Sequence, residues 1–95
     1  MTETGAASVR HQHGGAEWDI PVALLEIQRR FDEANAQCSH LAQGEDQDAY
    51  HAAQARRLQE VLALHRHPWL IEQTVHGRRH QADSALKHLA RSAHS

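Results

Sequence analysis

Ile20, Leu24, Ile27, Phe31, Ala34, Cys38 and Leu41 follow one another at spacings of 4, 3, 4, 3, 4 and 3 residues. That rhythm puts all seven on one face of an α-helix and predicts a helix over about residues 20–42 lying against a partner helix. Trp18-Asp19-Ile20-Pro21 reads as its start: Asp19 caps the free amides, Pro21 occupies the first turn and Trp18 folds back as a staple. Gln43-Gly44-Glu45-Asp46 reads as a turn, with Gly44 in the left-handed position that ends a helix. A second helix is expected over about 47–66, with Tyr50, Ala55, Leu58, Val61, Leu62 and His65 on a broad face. Pro68 suits the first position of a third helix over about 69–92, whose stripe is Ile71, Val75, Ala82, Leu86, Leu89 and Ala93. Gly77 interrupts the composition of that stripe but not its phase, so one helix, bent at Gly77, is expected.

No stretch reads as a strand. Residues 1–17 are poor in apolar side chains and rich in Gly, Ser, Thr and His, which predicts a disordered N-terminal tail ahead of one helical domain over 18–95. The expected fold is all-α, an antiparallel three-helix bundle whose core includes Ile27, Phe31, Leu58, Leu62, Leu86 and Leu89.

Composition makes that core lean. Of the 38 residues counted as hydrophobic, 16 are alanine, so a second copy would add burial that one chain lacks. In an antiparallel bundle Trp18, Val22, Leu25, Trp69 and Leu70 gather at one end, as the anchors of an interface do. The functional reading is therefore a non-enzymatic helical interaction module that binds itself, as a homodimer, or another protein. No apolar run approaches the length of a membrane span and the N-terminus has no apolar signal core, which points to the cytoplasm. A single cysteine, Cys38, cannot form an internal disulfide, and its stripe position suits a small buried hydrophobe.

Ten histidines open an alternative. Glu72, His76 and His80 recur every four residues, so on a continuous helix they share a face that could chelate Zn²⁺ or Ni²⁺, with Glu60 opposite if Pro68 reverses the chain. The interaction reading itself requires no cofactor. Full protonation of the histidines would move the formal charge from −2 to +8, since −2 plus ten charges is +8. A nucleic-acid-binding regulator is a further alternative, resting on Arg29-Arg30, Arg56-Arg57 and Arg78-Arg79. Acids within one helical turn of the first two pairs, and the net charge of −2, disfavour it. The sequence contains no glycine-rich phosphate loop and no paired CxxC, and this argues against an enzyme.

Overall fold

A computed structural model describes residues 7–92. The chain runs through strand β1 (Ser8–His13), strand β2 (Ala16–Pro21) and helices α1 (Val22–Leu41), α2 (Gln47–Arg66), α3 (Pro68–Val75) and α4 (Arg79–Ser92). The expected all-α three-helix bundle is thus corrected, among the described residues, to four helices and a two-stranded antiparallel sheet.

Most of the expected tail is the hairpin; residues 1–6 lie outside the described residues. Gly14 and Gly15, at φ 64° and 81°, form its two-residue turn, a backbone open to glycine at little cost. The register pairs Val9 with Ile20, His11 with Trp18 and His13 with Ala16. Asp19 consequently sits mid-strand beside Arg10, at 3.8 Å, and caps nothing; Pro21 precedes α1 without a side-chain cap.

The ends of α1 and α2 fall close to their expected places. Asp46 caps α2, its carboxylate accepting the Ala49 N–H at 3.0 Å. Gly44 does not take the left-handed conformation; Ala42 ends α1 in helical geometry, its N–H bonded to the Cys38 carbonyl.

The single third helix is corrected to two. Gly77 lies at φ 72°, the Arg78 N–H reaches the Gln73 carbonyl (2.8 Å) and the Gly77 N–H reaches that of Thr74 (3.1 Å). This pair of bonds is a Schellman stop. The phase of the stripe survives across it, but the helix does not.

The core is where β2, the first turns of α1, the end of α2, α3 and α4 meet. Trp18, Ile20, Leu24, Leu25, Leu64, Leu70 and Leu86 are buried there, with Ala82, Ala85 and Ala90 letting α4 approach closely. Ile27, Phe31 and Leu89 are partly buried against it, but Leu58 and Leu62 are exposed, against expectation. The reason is the rotation of α2. It faces α1 with Arg57, bonded to Asn35 Oδ1, and Glu60, bonded to Arg30 Nε, both at 3.2 Å.

Candidate metal centre

Alternation along β1 puts Val9, His11 and His13 on one face, since successive side chains point to opposite sides of a strand. Val9 packs against the core beneath the hairpin. The two imidazoles lie farther toward the turn and meet His88 of α4. The His11 and His13 rings stack with centroids 6.2 Å apart; His88 lies 5.0 Å from the first and 4.8 Å from the second. His11 Nε2 is 2.8 Å from His88 Nδ1, so one of these nitrogens carries the hydrogen and the other accepts it. One nitrogen from each of the three rings falls within 4.8 Å of the others. His11 and His13 are half-buried and His88 is exposed.

Burial chiefly, and the neighbouring His88 and His13 secondarily, hold His11 below the usual histidine range. A neutral imidazole is the form that ligates a metal. Tetrahedral Zn²⁺ at about 2.0–2.1 Å from each nitrogen requires ligands about 3.4 Å apart. The trio brackets that spacing: the close His11–His88 pair has to part slightly and the widest pair to close by roughly 1.4 Å, with His88 the exposed member.

No known protein family, curated protein or solved structure matches this chain. Among the described residues, this trio is the one group of three or more His, Cys, Asp or Glu side chains placed for a shared ion.

The metal residues expected from sequence are not brought together in this way. Glu72 lies in α3, His76 is the cap that follows it and His80 belongs to α4, so the helical spacing behind that set ends at Gly77. Glu60 is engaged by Arg30. His80 does share a cleft of about 220 Å³ with His13, Gly14 and Trp18, beside the trio.

Four of the five residues expected at an interface, Trp18, Leu25, Trp69 and Leu70, share the core cluster, and Val22 is not part of it. The Trp18 and Trp69 rings meet edge to face at 6.2 Å, and Leu25 and Leu70 join Trp18 in the core. Trp18, Leu25 and Leu70 are buried within the single chain, while Val22 and Trp69 are half-buried. Cys38 is buried with a free thiol. No helix among the described residues is long and apolar enough to cross a membrane.

Sequence reasoning passed over His11, His13 and His88, although a signal was present. Val9-x-His11-x-His13, Gly14-Gly15, then Ala16-x-Trp18-x-Ile20 is an alternating hairpin around a two-glycine turn. Histidine standing at inward positions where valine or isoleucine is usual hid it.

Proposed function

We propose that this chain is a non-enzymatic metal-binding protein that takes up one late first-row divalent ion, Zn²⁺ or Ni²⁺, through His11, His13 and His88. The observation that carries the reading is the convergence of three imidazole nitrogens, two from strand β1 and one from helix α4, with His88 lying 75 and 77 residues from His13 and His11 in sequence. The donor set is all nitrogen, which favours these ions over Mg²⁺ or Ca²⁺, whose sites are built from oxygen. Three ligands leave a fourth position for water or an added donor.

Catalysis at this site has less support than binding. His88 is exposed, and the adjoining cleft of about 220 Å³ falls below the roughly 300 Å³ at which small-molecule sites begin.

Calorimetric titration of the chelator-treated chain with ZnCl₂ or NiCl₂ tests the reading. One ion per chain with submicromolar affinity is expected. His88→Ala abolishes that event, while His76→Ala leaves it intact. Binding of several weak ions, indifferent to His88→Ala, refutes it.

A further inference from the structure

Helix α2 turns Arg57 and Glu60 toward α1, and Leu58 and Leu62 away from it. Ala53 and Leu64 are its buried residues, and Arg57 and Glu60 make its hydrogen bonds to α1. Leu58 is 57% exposed and Leu62 39%. These two belong to a longer series: His51, Ala55, Leu58, Leu62 and His65, spaced 4, 3, 4 and 3, are all exposed. That spacing is the one the seam of a two-helix coiled coil uses, and Leu58 and Leu62 are its two large apolar members. Neighbouring residues on a helix point about 100° apart, so the rotation that brings Arg57 to Asn35 turns Leu58 outward. Beside the seam, a groove of about 340 Å³ is lined by Phe31, Leu58 and Val61 together with the polar Asn35, Gln54 and Arg57.

The seam complements itself. Laid antiparallel on an identical helix, with facing residue numbers summing to 120, Leu58 meets Leu62 of the second copy and Leu62 meets its Leu58. Ala55 then leaves room for His65 of the second copy, a small residue against a large one. At the flanks, where the numbers sum to 118 and 122, Gln59 lies beside Gln59 and Val61 beside Val61; Glu60, whose number alone doubles to 120, turns from the seam to Arg30 of its own chain, so no like charges meet. A parallel arrangement instead sets His51 on His51 and His65 on His65. It also brings the acidic starts of both helices, with Asp46 and Asp48, side by side and aligns the helix dipoles. Antiparallel pairing separates those acids and opposes the dipoles.

We propose that the exposed α2 seam is a homodimer interface in which two copies pair antiparallel about a two-fold axis between Leu58 and Leu62. The His11, His13 and His88 cluster belongs to another part of the fold, so the dimer forms without metal.

Sedimentation equilibrium of chelator-treated protein at micromolar concentration tests the pairing. The expected mass is 21.4 kDa, twice the 10.7 kDa of one chain. The double variant Leu58→Glu, Leu62→Glu returns 10.7 kDa with its helical circular dichroism retained, because both side chains are exposed in the single chain. A short bismaleimide tests direction: Ala52→Cys protein links to Arg66→Cys protein when the two are mixed, and neither links to itself. A monomer for the unaltered chain, a dimer that survives the double glutamate, or Ala52→Cys linking to itself would overturn the proposal.

Discussion

Replacing Trp18 by alanine asks whether the hairpin is part of the core. Trp18 is 5% exposed, and its indole N–H donates to the His13 carbonyl at 3.2 Å. Its ring meets Trp69 edge to face, and the Arg78 guanidinium lies 5.2 Å from its centroid. Truncating a buried tryptophan costs about 3–5 kcal/mol. The aromatic pair adds about 0.5–1.5 kcal/mol beyond area burial, and an exposed cation–π contact about 0.5–1 kcal/mol. These contributions overlap, which puts the loss near 5 kcal/mol. At about 0.05–0.15 kcal/mol per residue, the 86 described residues have roughly 4–13 kcal/mol of stability in total. Trp18→Ala should therefore bring the chain close to unfolding at room temperature, while Trp18→Phe keeps most of the contact and folds. Urea denaturation followed by far-ultraviolet circular dichroism measures the difference. Val75→Ala, at a position 77% exposed and outside the proposed pairing surface, is the control and should cost under about 1 kcal/mol by this measure. If Trp18→Ala unfolds at the same urea concentration as the unaltered chain, the hairpin is not docked and the core described above is wrong.

Two further expectations concern other joints. Gly77→Ala leaves the new Cβ in open space but holds alanine at φ 72°, so urea denaturation should show a loss of about 1 kcal/mol; a gain would mean that α3 and α4 prefer to run on as one helix. Burial holds His67 below the usual histidine range, and its Nδ1 accepts the Trp69 N–H at the start of α3. The unfolded chain therefore takes up this proton first, and stability is lost as pH falls below about 6.5, the unfolded value, rather than as it rises. His67→Asn, which can keep a cap, should flatten that decline in denaturation midpoints between pH 7.5 and 5.5.

The helical parts of the fold were legible because their signals are local. Asp46 as a cap and Pro68 at a first turn specify α2 and the start of α3 through neighbours in sequence. The break at Gly77 was harder, since the apolar phase continues through it and only backbone geometry shows the stop. Helix α2 was misjudged for a different reason. Periodicity gives the angular position of Leu58 and Leu62 but not which way that side faces, and here the bond Arg57 donates to Asn35 and the bond Glu60 accepts from Arg30 accompany the outward turn. The candidate metal trio required the hairpin first. Its members stand in β1 and near the end of α4, and no local spacing links His11 to His88.

The docking of an early hairpin on the last described helix also sets a timetable for synthesis. Trp18 and Ile20 find their core neighbours Ala82, Ala85, Leu86 and Ala90 only once α4 has been made. At roughly 5–20 residues per second, the 68 residues between Trp18 and Leu86 take about 3–14 s to add. Through that interval α1 and α2 can pair locally, yet Trp18 and Ile20 of β2 lack the part of their cover that α4 supplies. The nascent chain thus offers chaperones, or a neighbouring nascent copy, a strand that the finished protein conceals.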